Sequence, residues 1–203
     1  TPKSYLDTNV KGTLNLLQSS LKNQIDDFIH TSTSEVYGNA KIFPINENTS
    51  LLGQSPYSAS KIAADQIAYS FYCSYDLPLR TVRPFNTYGP RQSLRAIIPS
   101  IISQVLFSKK QEIFLGSLSP KRDLTFVKDT IRAFELMLLN KDINGEVINI
   151  GSGFEITIKD LAQLISKICN KKLIFKKDKK RIRPEKSEVN RLLCDNSKAK
   201  KLL

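Results

Sequence analysis

Short apolar runs bounded by turn residues alternate along this chain with stretches whose apolar residues keep helical spacing, and that alternation restricts the fold most. Leu6, Val10, Leu14, Leu17 and Leu21 form one helical stripe, with Ser4 and Asp7 as a capping pair at its start. Phe28 to Thr33 reads as a short buried strand. A helix from Pro56 to about Tyr75 follows, then a second strand, Leu79 to Phe85, between Asp76-Leu77-Pro78 and Asn86. Strand, crossover helix, strand implies parallel pairing. Further on, Ile97 to Leu106 reads as a helix and Ile113 to Leu115 as a strand. Val127, Ile131, Phe134 and Leu138 mark another helical stripe, and Val147 to Ile150 another strand. Thr157 and Asp160 cap a last clear helix through Ile158, Leu161, Ile165 and Ile168. The expectation is a doubly wound α/β sheet.

In such sheets ligands bind beyond the carboxyl ends of the strands. Two polar clusters obey that rule: Thr33-Ser34-Glu35, the end of the hydroxyl-rich Thr31-Ser32-Thr33-Ser34-Glu35, follows the first strand, and Asn86-Thr87-Tyr88-Gly89-Pro90-Arg91 follows the second. Taken alone, the first is an ordinary hydroxyl-rich strand end. It gains weight from Tyr57, 22 residues beyond Glu35, and Lys61, which follows four residues later. On a helix that spacing puts phenol and ammonium on one face. Ser55 as N-cap and Pro56 as first helical residue place Tyr57 in the first turn, and Ala59, Ala63, Ile67 and Phe71 recur as a buried stripe. The helix end and the nearby cation both favour a phenolate. To act as a base near neutral pH the phenol needs a downward pKa shift of roughly 3 units, about 4 kcal/mol.

Composition narrows the alternatives. With 203 residues, 40% of them hydrophobic, the chain can bury one sizeable core or one domain with a small appendage. It carries no apolar run of about 18 residues and no signal-peptide pattern, so no membrane partner is expected and the cytoplasm is the default location. Cys73, Cys169 and Cys194 suit reduced, buried thiols. His30 is the only histidine, which argues against Ser-His-Asp machinery and multi-histidine metal sites; no metal is expected. The net charge of +12 draws on Lys171, Lys172, Lys176, Lys177, Lys179, Lys180, Arg181 and Arg183. With Phe175 the one aromatic in that run, it reads as a solvated face that attracts a phosphate-bearing small substrate, not as a nucleic-acid site.

Several motifs, in order, resemble those of the extended short-chain dehydrogenase/reductases, specifically the nucleotide-sugar 4,6-dehydratases. They are Thr8-Asn9-Val10-Lys11-Gly12-Thr13, Thr31 to Gly38, Tyr57-Ser58-Ala59-Ser60-Lys61, Arg83 to Arg91, Lys121 to Asp129, and Arg183-Pro184. The Thr-Ser-Glu form of the first cluster is similar to GDP-mannose 4,6-dehydratase, whereas dTDP-glucose dehydratases tend to carry Thr-Asp-Glu. The stretch from Gly53 to Gln92 resembles dehydratases of the legionaminic-acid pathway. The resemblance implies a partial Rossmann-like, doubly wound parallel sheet in residues 1–90, lacking its N-terminal glycine loop. Residues 91–203 then hold a small substrate-binding α/β region, with returning Rossmann elements near 127–150. Only Gly151-Ser152-Gly153 is glycine-rich, and the chain starts inside one helix-like pattern and stops at Lys200-Lys201-Leu202-Leu203 within another, so a fragment truncated at both ends is expected.

The same resemblance implies tightly bound NAD and three steps. Tyr57 takes the proton from the sugar 4-hydroxyl as hydride leaves C4, with Thr33 bonding that hydroxyl and Lys61 holding the ribose. Glu35 removes the C5 proton, an acid supplied by Ser34 or Glu35 assists loss of water, and hydride returns to C6. Asn9 and Pro84 are expected near the cofactor with Tyr57 and Lys61. Asn86, Arg91, Arg122 and Arg183 are expected on the nucleotide-sugar substrate. Two local readings stay open: Arg122 as a surface salt bridge with Asp123, and Asn9 as a helix-bending residue. Two functions compete with the dehydratase. One is a nucleotide-sugar 4-epimerase, whose family members generally carry a small or apolar residue in place of Glu35; the other is a non-catalytic nucleotide-binding module. A homodimer is expected through the helices at Leu6–Leu21 and Ala59–Phe71.

Overall fold

The Thr1 hydroxyl accepts a hydrogen bond from the Ser4 amide at 3.4 Å and Pro2 fixes the first turn, so the first helix starts ahead of Leu6. Asp7 does not cap it with Ser4; it pairs with Lys11 one turn on. A computed structural model of the chain describes residues 1–108, 112–172, 174–178, 181–182 and 184–203. Helix α1 (Pro2–Tyr5) runs through a π-helical segment, Leu6–Lys11, into α2 (Gly12–Lys22). Strand β1 (Phe28–Thr31), helix α3 (Pro56–Tyr75) and strand β2 (Leu79–Pro84) form the predicted crossover unit. β3 (Asn86–Tyr88), α4 (Ile97–Phe107), β4 (Glu112–Leu115), β5 (Lys121–Phe126) and α5 (Val127–Leu139) follow. The chain continues through β6 (Val147–Ile150), β7 (Glu155–Thr157), α6 (Ile158–Ile168), β8 (Ile174–Lys177), β9 (Arg191–Leu192) and α7 (Ser197–Leu202).

The strands β1, β2 and β6 make a parallel sheet in that order, with His30 opposite Thr81 and Val82 opposite Ile148. Residues of β2 alternate between its faces. Leu79 packs with Leu17 and Ala68 of α2 and α3 on one side, while Val82 joins Ala133 and Met137 of α5 and Ile148 on the other. Helices thus cover both faces, as the alternation required. The remaining strands build a second sheet, β3-β5-β7 with β9 also on β5, and a parallel pair, β4-β8. A separate core of Ile101, Val105, Ile113, Leu115, Leu161 and Ile165 holds α4 and α6 against that pair. Among the described residues no helix is long and apolar enough to cross a membrane.

Two further expectations fail. The buried face of α3 is not the Ala59-Ala63-Ile67-Phe71 stripe: Ala59 is exposed and the other three are half-buried. Ser60, Ala64, Asp65 and Ala68 are inside instead, because hydrogen bonds let Ser60 and Asp65 go where an apolar pattern forbids them. The thiols are also not uniformly buried. Cys73 is exposed on the outer face of α3, Cys169 is half-buried at the end of α6, and only Cys194 is buried; all three are unpaired.

Ile148 is fully enclosed between α5 and the sheet. Ile148→Ala is expected to cost about 2–5 kcal/mol of unfolding free energy, measured by denaturant titration. A loss below about 1 kcal/mol would mean that this face can collapse onto the void.

Candidate active site

Where β1 ends, the chain turns sharply. Thr33 caps a 3₁₀ turn, Ser34–Tyr37, its hydroxyl accepting from the Glu35 amide at 3.2 Å. Val36 and Tyr37 anchor that turn in the core, which leaves Glu35 half-buried on the wall of a cavity of about 600 Å³. Ser34 is only 2% exposed and does not line that cavity. Beside the turn, Ser55 and Ser58 form a reciprocal capping box that starts α3 and places Tyr57 in its first turn. Tyr57 meets the Tyr5 ring edge-on, with centroids 5.6 Å apart.

The Glu35 charge is felt at the Tyr57 phenol. Burial pushes the Tyr57 phenol above the usual tyrosine range. A hydrogen bond with Thr33 pulls it back, while Glu35, Tyr5 and Asp65 push it further up. The expected downward shift is therefore absent. Burial is the main cause, and the Lys61 ammonium, which donates to the Thr31 carbonyl at 2.6 Å, is not among the groups that lower the phenol pKa. Burial lowers the Lys61 pKa, partly offset by Asp65.

Asn9 lies in the π-helical segment, a distortion often found at functional sites. Its amide donates to Ser60 Oγ at 2.9 Å, and Ser60 in turn donates to the Tyr57 carbonyl at 2.7 Å. Asn9 is thus both at the helix irregularity and behind the first turn of α3. Pro84 ends β2, half-buried against β6.

The cavity brings Glu35 together with Asn86 of β3 and Arg122 of β5, and adds Arg95, Arg181 and Glu188. Asn86 Oδ1 is buried with no partner among the described residues. Arg122 donates to the Lys121 carbonyl at 2.9 Å and to Glu188 Oε1 at 3.3 Å. It forms no surface bridge with Asp123, whose side chain is buried on the opposite side of β5. There Asp123 accepts from the Ser152 and Gly153 amides at 2.8 and 2.9 Å. Arg91 is exposed at a turn with φ of 67° and does not line the cavity, whereas Gln92 does. Arg183 lies outside the described residues. Arg181 stands in the cavity, donating to Ser100 Oγ at 2.9 Å. Sequence reading had Arg181 only as part of a basic run, and it missed Arg95, Glu188 and Tyr5 altogether.

Asp65, one turn beyond Lys61, was missed too. It accepts from Ser32 Oγ at 2.7 Å, from His30 Nε2 at 2.9 Å and from Arg83 at 3.0 and 3.2 Å. Burial alone would raise its pKa, but the His30 bond, the Arg83 charge and the Ser32 bond together hold it below the usual 3.8. A carboxyl with a depressed folded pKa contributes stability that is complete above its unfolded pKa and lost as pH falls toward the folded one. The thermal midpoint is expected to drop as pH falls from about 5 to about 3. A midpoint constant over that window would contradict the pairing.

The arrangement can take a proton at Tyr57, move another at Glu35, and hold an anionic ligand against arginines in the cavity between β3, β5 and α4. The family model for GDP-mannose 4,6-dehydratase matches residues 1–203. A dTDP-D-glucose 4,6-dehydratase of Dictyostelium discoideum is 35% identical over 175 residues, 81% of this chain and 40% of that protein. A UDP-N-acetylglucosamine 4-epimerase from Methanobrevibacter ruminantium M1, solved in complex with UDP-N-acetylmuramic acid, superposes with a TM-score of 0.89. It is 32% identical, over 100% of this chain and 64% of that one. A dTDP-glucose 4,6-dehydratase from Bacillus anthracis str. Ames, solved in complex with NAD, gives a TM-score of 0.85 at 32% identity, over 97% and 61%. The chain spans about half the length of the curated relatives it matches. Matched from its first residue to its last, and folded as these nucleotide-sugar enzymes are, the chain belongs to the GDP-mannose 4,6-dehydratase family.

Proposed function

We propose that this chain carries the chemistry of an NAD-dependent nucleotide-sugar 4,6-dehydratase, a hydro-lyase that makes a 4-keto-6-deoxy sugar nucleotide. One observation carries the reading: Glu35, a carboxylate on the cavity wall, acts electrostatically on the Tyr57 phenol. An oxidising pair alone needs no such neighbour, since its charge disfavours the phenolate. A base for C5, the carbon next to the oxidised one, does.

The donors fit the cofactor. Lys61 spends one N–H on Thr31, and its other two have no partner among the described residues, which suits a ribose diol. Asn9 and Pro84 flank that position by the family resemblance. When bound, NAD supplies the hydride acceptor for C4 and the donor for C6, and its oxidised ring adds positive charge to the site. Tyr57 removes the 4-hydroxyl proton and Thr33 orients that hydroxyl. Glu35 then takes the C5 proton and, now protonated, delivers it to the C6 hydroxyl, which leaves as water, since Ser34 is sealed away from the cavity. The proton first taken from O4 balances the one C5 regains as hydride reaches C6. Asn86, Arg95, Arg122 and Arg181 hold the substrate's phosphates, for which arginine forks are suited.

The division near residue 90 belongs to this reading, as do a cytoplasmic location and a product used for surface-polysaccharide sugars. So does a homodimer: Leu6, Leu16 and Tyr69 leave apolar surface exposed on the two expected helices. The second reading is a 4-epimerase, favoured by likeness to epimerases such as that of Methanobrevibacter. The full protein, incubated with NAD and a panel of nucleotide sugars, decides by mass spectrometry. Loss of one water with a 4-keto product supports the dehydratase, unchanged mass with an inverted 4-hydroxyl supports the epimerase, and no turnover refutes both.

A further inference from the structure

Tyr57, Lys61 and Asp65 are spaced by four and share one face of α3, yet Asp65 is sealed inside, its side chain 3% exposed. Both carboxylate oxygens are taken. Oδ1 receives His30 Nε2, and Oδ2 receives Ser32 Oγ and two nitrogens of Arg83. A carboxylate brings no proton, so Nε2 is the protonated nitrogen of the His30 ring. These three partners come from two neighbouring parallel strands at their carboxyl ends. His30 and Ser32 bracket Thr31, whose carbonyl receives the Lys61 ammonium.

The grip extends to the other half of the site. Arg83 Nη1 donates to the Tyr37 hydroxyl at 3.0 Å, with the guanidinium 5.1 Å from the ring centroid, and Tyr37 donates to Asn149 Oδ1 of β6 at 2.7 Å. Tyr37 closes the 3₁₀ turn that presents Glu35.

We propose that Asp65 is a positioning residue: through Ser32, His30 and Arg83 it fixes the strand ends bearing Thr33 and Glu35 against the helix bearing Tyr57 and Lys61. The inference rests on the reading of those four residues as the reacting groups. Stability alone is a poor reason for such a cluster, because a buried ion pair is often matched by apolar packing of the same volume. What apolar packing cannot supply is a charge one turn from Lys61 and directional bonds on both sides of Thr31. The titratable and charged groups facing Asp65 are His30 from β1, Arg83 from β2, and Tyr57 and Lys61 from its own helix. Its negative charge supports the Lys61 ammonium against burial.

The test uses the full protein with NAD and the nucleotide sugar it turns over. Asp65→Asn keeps the shape, removes the charge and sets an amide against donors. Its kcat is expected to fall roughly 100-fold with KM moved by less than about threefold, as for a misplacement of reacting groups near 1 Å. The Lys61 titration midpoint, read from the pH dependence of reductive methylation of its peptide, is expected to fall, because the Asp65 charge that offsets burial is gone. A folded variant with kcat within about threefold of the parent, or with an unmoved Lys61 midpoint, overturns the proposal. If Asp65→Asn does not fold, Ser32→Ala decides. It keeps the ion pair and is expected to lower kcat about tenfold, and a parent-like kcat overturns the proposal. Should the parent turn over no nucleotide sugar, the reading of the reaction fails, while the methylation midpoint still shows whether Asp65 governs Lys61.

Discussion

Glu35→Gln is expected to lower formation of the 4-keto-6-deoxy product by roughly 1,000-fold while leaving oxidation at C4 measurable, the size of effect typical for a lost general base. Gln keeps the shape and hydrogen-bonding oxygen of the side chain, so Thr33 still caps the turn through the residue 35 amide, and Val36 and Tyr37 still anchor it. What disappears is the group that takes the C5 proton and returns it to water. The substitution also has a signed consequence for the first step. The Glu35 charge raises the Tyr57 pKa, so its removal lets the phenol ionise more readily. The pH profile of C4 oxidation, followed by reduced-nicotinamide absorbance in single turnovers, should move to lower pH in the variant. Dehydration at the parent rate would remove Glu35 from the mechanism, and with it the reason to prefer a dehydratase over an epimerase.

Tyr57→Phe should reach deeper, because every later step waits on the ketone at C4. A loss of about 10³-fold or more is expected in both oxidation and dehydration, with nucleotide-sugar binding retained, since the arginines of the cavity are untouched. The ring keeps its edge-on contact with Tyr5, and only a hydrogen bond with Thr33 is lost, worth about 1 kcal/mol of stability. Activity and stability are therefore predicted to separate: a near-parent melting temperature beside a nearly silent enzyme. Oxidation surviving within about tenfold of the parent would assign the proton transfer to another group.

Helix α3 shows what could be read in advance. Its limits, Pro56 and Tyr75, match expectation because the cap and the proline act within a few residues of one another. The same locality explains β6, Val-Ile-Asn-Ile ended by glycine, and the Thr157 cap of α6. Which face of α3 turns inward was misjudged, and the reason is equally physical. Apolar spacing registers burial driven by transfer from water, whereas Asp65 and Ser60 are buried because partners from distant segments satisfy them.

Asn9 was balanced between bending a helix and serving the site. The structure puts it at a π-helical segment and bonds it, through Ser60, to the backbone of Tyr57. Arg181 reached the cavity through a contact with Ser100, 81 residues away, and Glu188 through one with Arg122, 66 residues away. Separations of that size carry no periodic trace.

Local rules were enough to place β1, β2, β4, β6 and the crossover and to put Tyr57 and Lys61 on one helix, since each depends on residues within one turn or one strand end. Strands β3, β5, β7, β8 and β9 went unread, and Thr33 and Glu35 were singled out by family resemblance. The direction of the Lys61 ammonium, the upward pull on the Tyr57 phenol and the burial of Asp65 were decided only when β1, β2 and α3 came together. Charge and hydrogen-bond energies depend on distance and desolvation, and in a folded chain both are set by segments far apart in sequence.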